Sequence, residues 1–155
     1  MIEEPRIAEL DATPTAYIRL TIPRNKMPEV FGPAVGELIS TVTGQGVEMT
    51  GAVFAHHLSM DDPGSFDFEL GVPVSSRISP TGRVEGGRRP VTRVAQTVYQ
   101  GPYEGLPEAW GKFHEWVKSS GHEWTSDIWE CYVVTPDSDP DPANWRTQLN
   151  RPLLA

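Results

Sequence analysis

The segment DIWECYVV, residues 127 to 134, sets one carboxylate, Glu130, among Trp129, Cys131 and Tyr132. Its neighbours are aromatic and β-branched, bounded by Asp127 and by Thr135-Pro136, a composition that reads as buried strand. Burying a carboxylate is costly unless something pairs with it, and apolar surroundings raise its pKa. Such a group suits two tasks: counter-charge to a desolvated cation, or general acid or base near neutral pH. Tyr132 lies two residues on. In a strand it shares the face of Glu130, and its hydroxyl can donate a hydrogen bond.

Other chemistry-bearing residues give weaker signals. His56 and His57 are adjacent in a strand-like run, so they point to opposite faces and cannot chelate one metal together. Asp61-Asp62 and the aspartates at 137, 139 and 141 suggest calcium. Their spacing lacks the glycine and closing glutamate of an EF-hand, and prolines interrupt it, which favours a solvated turn. The chain carries no phosphate loop, dinucleotide fingerprint, zinc pattern or nucleophile elbow. No metal and no cofactor is expected.

The chain has 155 residues and 38% apolar content, with five Trp, four Tyr and five Phe, enough to bury a core without disulfides. Thirteen basic against twenty-one acidic side chains give a net charge of −8, which argues against a nucleic-acid or anionic-membrane surface. Cys131 is the single cysteine, so no internal disulfide forms and a reducing compartment is expected. The acidic N-terminus is unlike a signal peptide, and no run reaches transmembrane length. Together these features predict a cytoplasmic protein.

The elements that must position Glu130 emerge from an internal repeat. When the sequence is slid by 79 positions without gaps, PRNKMPEVFGPAVGELIS (23–40) lies over PYEGLPEAWGKFHEWVKS (102–119). Between residues 23 and 73, ten positions are identical, among them Pro28/Pro107, Gly32/Gly111, Leu70/Leu149 and Pro73/Pro152. Chance gives about three. Aromatic meets aromatic at Phe31/Trp110 and Phe66/Trp145. Each copy reads as strand, helix, strand, strand. In the second, Leu106, Ala109, Trp110, Phe113, Trp116 and Val117 recur at helical spacing, with Pro107 in the first turn and Gly121 after the last. In the first, Pro33 is expected to kink or restart the helix.

The expected organisation is a single domain over residues 1–155, with repeat 1 at about 15–75, a linker at 76–90 and repeat 2 at about 91–153. The fold class is α+β: one antiparallel curved sheet, two helices on one face and a ligand cleft on the other. Trp129, Cys131 and Val133 are expected to pack on the helices. Ile128, Glu130 and Tyr132 then point into the cleft. The ungapped slide places Gly51 opposite Glu130, so the carboxylate belongs to one copy alone. Trp145 and Phe66, as repeat partners, should flank the cleft and offer π-faces to a ligand. Tyr103 sits at the mouth of the second helix, and Tyr17 opens the first strand with parity opposite to Ile18, Leu20 and Ile22.

The run Tyr99-Gln100-Gly101-Pro102-Tyr103-Glu104-Gly105-Leu106 resembles the H-x-GPY-x-x-L motif of the GyrI-like small-molecule-binding family. So do Glu130-Cys131-Tyr132, the turn DSDPDP, and Thr147-Gln148-Leu149-Asn150-Arg151-Pro152-Leu153. The resemblance runs from about residue 15 to the C-terminus, and departs at position 99, where Tyr replaces a frequent His. This family also supplies effector-binding domains of AraC- and MerR-type regulators. Here fewer than fifteen residues precede the match, too few for a helix-turn-helix, so a stand-alone member is expected. The resemblance implies a duplicated fold with a cleft between the copies. It also implies a glutamate at position 130 that meets cationic lipophilic drugs among aromatic side chains.

The expected partner is a small lipophilic molecule, cationic or electrophilic, held by Glu130, Tyr132, Tyr103, Trp145, Phe66 and Tyr17, without direct nucleic-acid or membrane contact. Two alternatives come with the family. One is a hydrolase of strained cyclopropane electrophiles, with Glu130 as general base and Tyr132, or else Tyr103, protonating or steadying the leaving carbon framework. The other is a module that binds a protein such as gyrase or a regulator, its acidic surface mimicking nucleic acid.

Overall fold

The computed structural model describes residues 2–59 and 63–154; the Asp61-Asp62 pair lies outside them. The chain runs β1 (Arg6–Leu10), β2 (Thr13–Pro23), α1 (Met27–Gly44), β3 (Phe54–Ser59), β4 (Ser65–Pro73), β5 (Val84–Arg89), β6 (Thr92–Gln100), α2 (Leu106–Ser119), β7 (Ile128–Val134) and β8 (Arg146–Pro152). Among the described residues, these eight strands form one curved antiparallel sheet in the order β1-β6-β8-β7-β3-β4-β2-β5.

The duplication is visible in the register. Ile18 pairs with Leu70 between β2 and β4; shifted by 79 positions, Thr97 pairs with Leu149 between β6 and β8. The same shift carries β1 onto β5. In each copy this leading strand crosses to the other half, β1 pairing with β6 and β5 with β2. The stretch 76–90, expected as a joint, therefore contributes an edge strand. Its signal was weak because a two-glycine edge strand carries little apolar pattern, Val84 being the side chain it buries in the core.

The central strands follow a different shift. Ala55 pairs with Leu70, and Glu130 with Leu149, so the structural counterpart of Glu130 is Ala55, not Gly51. The cause is helix length. α1 has 18 residues and α2 has 14, a difference of about one turn. Both helices end before a glycine in the left-handed region, Gly46 at φ 70° and Gly121 at φ 81°, and these two are counterparts. Pro33 lies inside α1, which continues through it as one helix.

Each helix packs its own half. Ala34, Leu38 and Val42 of α1 recur every four residues and bury against Ala16, Ile18, Leu20, Phe68, Leu70 and Val72. Ala109, Phe113 and Val117 of α2 bury against Ala95, Tyr99 and Leu149. A fully buried Phe or Leu such as Phe113 or Leu38 contributes roughly 1.5–3 kcal/mol. The central pair, β3 and β7, sends Ala55 and Tyr132 into the α1-side core, and the space above Glu130 between the two helices stays open.

That gap corrects the expected side of the cleft. Ile128, Glu130 and Tyr132 do share a face, but it is the helix-bearing face, and the cavity opens between α1 and α2. Trp129 and Cys131 lie on the opposite face, where Trp129 stacks on His56 at 3.8 Å, and Val133 is 51% exposed. The expectation assumed that helices blanket their face. Four apolar stripes on two outer strand pairs were sufficient to hold them, and the middle stayed open.

Candidate functional site

Glu130 is 9% exposed at the centre of the sheet. Its Oε2 accepts a hydrogen bond from the Trp110 indole Nε1 at 2.6 Å. Its Oε1 accepts one from the Tyr132 hydroxyl at 2.9 Å. Burial raises the Glu130 pKa, and the two donors pull it partly back. Tyr132 is pushed well above the ordinary phenol range by burial and then by the Glu130 charge, so it remains a donor. Neither partner is cationic. The carboxylate is thus held in place by two neutral donors, without a protein counter-charge at contact distance among the described residues.

A cavity of about 810 Å3 opens above it, within the ~300–1,000 Å3 range of small-molecule sites. Its walls come in repeat-related pairs: Arg24 and Tyr103, Met27 and Leu106, Phe31 and Trp110, His57 and Tyr132. The pairing extends to how they stack. Arg24 lies over the Phe66 ring at 4.6 Å, and its counterpart Tyr103 packs on Trp145 at 5.1 Å. Phe31 and Tyr103 meet Tyr132 edge-on, at 5.3 and 6.1 Å between centroids, the geometry aromatic quadrupoles favour.

Six side chains were expected here, and the structure separates them. Glu130, Tyr132, Tyr103 and Phe66 line the cavity. Trp145 stands behind Tyr103 and gives its indole N–H to the Asp139 carbonyl at 2.8 Å. Tyr17 lies away from the cavity: its β2 parity puts it on the other face, beside Gly87 and paired with Glu85. The parity rule was read correctly; the face chosen was the wrong one.

Sequence reasoning missed Trp110, Phe31, His57 and Arg151, all of which line the cavity. The repeat had paired Phe31 with Trp110, but as members of a core stripe. His57 was weighed only as a metal ligand. It is 3% exposed, between the rings of Phe66 and Phe68 at 5.2 and 5.1 Å. Burial, then the charges of His56 and Arg24, lower its pKa to about 4, so it is neutral. Its Nε2 stands 4.0 Å from Glu130 Oε1, which for a neutral imidazole is proximity and not an ion pair. His56, on the other face, is held between Glu69 and Asp127 at 3.3 and 2.7 Å. The two side-chain hydrogen bonds outweigh its burial and raise its pKa.

A half-enclosed apolar cavity with one buried carboxylate, set on the symmetry axis of a duplicated sheet, defines a small-molecule-binding domain. The chain belongs to the GyrI-like family, whose description, GyrI-like small molecule binding domain, matches residues 3–153. A search of curated protein sequences gives no match. Among solved structures, the EcmrR C-terminal domain is similar with a TM-score of 0.86 at 18% identity, covering 97% of both chains. EcmrR in complex with DNA matches with a TM-score of 0.86 at 19% identity; 97% of this chain corresponds to 57% of that one. SAV2435 bound to tetraphenylphosphonium gives 0.69 at 10% identity, covering 99% of this chain and 95% of that one. A hydrolase encoded by lin2189 from Listeria innocua gives 0.67 at 13%, covering 97% and 92%. These likenesses are of fold. No helix among the described residues is long and apolar enough to cross a membrane.

Proposed function

We propose that the cavity between α1 and α2 binds a small lipophilic cation, with the Glu130 carboxylate as its counter-charge. The observation that carries this reading is the pairing at Glu130: two neutral donors, Trp110 and Tyr132, orient the carboxylate, and no cation among the described residues contacts it. Burial raises the carboxyl pKa, which lowers the cost of the buried group by favouring its neutral form. A cationic ligand supplies the missing charge and favours ionisation. Phe31, Phe66, Tyr103, Trp110 and Tyr132 offer π surface to the rest of the molecule.

Tetraphenylphosphonium, the ligand of SAV2435, is a suitable first probe. Calorimetric titration should show Glu130→Gln binding it about 3 kcal/mol more weakly than the parent chain, the scale of two unit charges roughly 6 Å apart at an effective dielectric constant of about 20. Equal affinity in the two proteins removes Glu130 from the site.

The hydrolytic reading draws on the same raised carboxyl pKa, with Glu130 activating water against a strained cyclopropane electrophile. Tyr132 already directs its proton to Glu130, which leaves Tyr103 as the hydroxyl facing a ligand. Incubation with electrophile in large molar excess separates the readings. Consumption that stops at one equivalent supports a binder; continued consumption lost in Glu130→Gln supports the hydrolase.

A further inference from the structure

The two halves aim different polar groups at the same oxygen. Tyr132 donates to Glu130 Oε1 at 2.9 Å. Its repeat counterpart, His57, brings Nε2 to 4.0 Å from that oxygen, beyond hydrogen-bond length. His57 lines the cavity and is 3% exposed, and neither of its ring nitrogens has a hydrogen-bond partner among the described residues: Nδ1 is buried, and Nε2 stands 4.0 Å from Glu130 Oε1. Buried polar side chains are nearly always satisfied, and an exception calls for a cause.

A ligand in the cavity supplies one for Nε2. Glu130 Oε1 and a neutral His57 Nε2 are two acceptors 4.0 Å apart. A nitrogen cation donating to both at about 2.8 Å has its two N–H bonds spread by roughly 90°, close to tetrahedral geometry. The His57 ring accepts through Nε2 in the tautomer that carries its proton on Nδ1, and burial, which lowers its pKa to about 4, keeps the ring neutral. Arg24, which helps depress that pKa, stacks on Phe66 at the cavity wall. A cation without N–H bonds satisfies Glu130 by charge and leaves His57 as it was.

Building on the cation-binding reading, we propose that the site selects protonated primary or secondary amines on an apolar body, one N–H directed to Glu130 and a second to Nε2 of His57. His57 is then the residue that sets specificity among cations, and Glu130 the residue that sets charge.

Three probes with one skeleton test this: dibenzylammonium, with two N–H bonds, N-methyldibenzylammonium, with one, and dibenzyldimethylammonium, with none. Affinities measured by calorimetry at neutral pH should fall in that order, the first exceeding the second by about tenfold or more. His57→Phe should level the first two while retaining the quaternary ion, and His57→Gln, which keeps an acceptor, should retain part of the preference. The series on the unaltered chain stands even where a variant fails to fold. Equal binding of all three, each weakened in Glu130→Gln, overturns the amine assignment and leaves the cation site intact. Binding of all three that ignores Glu130→Gln overturns both.

Discussion

The half-site around Arg24, Phe31, Ala55, His57 and Phe66 and the half-site around Tyr103, Trp110, Glu130, Tyr132 and Trp145 occupy equivalent places on one duplicated scaffold. They differ in what each does for the carboxylate. The second half supplies Glu130 and both of its donors. The first half puts Ala55 where Glu130 would be, Phe31 where the indole would be, and a neutral imidazole in place of the phenol. Ala55 and Glu130 are cross-strand partners, so the pseudo-twofold axis passes between them. Two carboxylates there would face each other directly and repel. Duplication thus made a roomy cleft by leaving the centre uncovered, and divergence on one side gave it a polarity.

The largest effect that sharpens this comparison is in the cores. Phe113 is fully buried under α2, and the equivalent place under α1 is held by Ala34. Phe113→Ala should cost about 3–5 kcal/mol in chemical denaturation. A loss under 1 kcal/mol would mean the second half does not rely on its own core.

Glu130→Gln should act on stability in the direction opposite to ligand binding. The folded-state pKa of Glu130 is raised, so the neutral form is the favoured one. Its contribution is present below the ordinary glutamate range and is lost as pH climbs through the raised value. Glu130→Gln escapes that loss. Its melting temperature should match the parent in acid and exceed it at mildly alkaline pH, by an increment worth about 1–3 kcal/mol. Parallel pH profiles would show that the charge is already compensated within the protein.

Trp110→Phe copies the first half into the second and should give the smallest change. It removes the donor to Oε2 and should cost about 1 kcal/mol. The folded-state pKa of Glu130 should rise further, read as a pH-dependent drop in melting temperature that is deeper and levels off at higher pH. A drop of unchanged depth and end point would show that the indole packs without tuning the acid.

Much of this was legible from residue patterning. The strand around Glu130, the shared face of Glu130 and Tyr132, the two helices and the duplicated order followed from period-2 and period-3.6 spacing and from ten repeated identities. The side of the sheet was not legible. Alternation groups Ile128, Glu130 and Tyr132 without saying which neighbour covers them, and that depends on where α1 and α2 stop. The Ala55 equivalence was hidden by one extra helical turn, which an ungapped comparison cannot register. The leading strands β1 and β5 were missed because edge strands need little apolar pattern. Trp110 and His57 looked like core and metal candidates, since nothing in their spacing distinguishes an aromatic facing a partner helix from one facing a cavity.

The most direct test of Glu130 as counter-charge is proton release on binding. Calorimetric titrations with tetraphenylphosphonium would be run in pairs of buffers that differ in protonation enthalpy, from mildly acidic to mildly basic pH. A cation that settles against Glu130 lowers its raised pKa, so the parent chain should release part of a proton per ligand in the window where the carboxyl is still protonated. Affinity should climb as pH rises through that window. Glu130→Gln should bind weakly, release no proton and show a flat profile. Tight binding by the parent without proton release, at an affinity that ignores pH, would contradict the account.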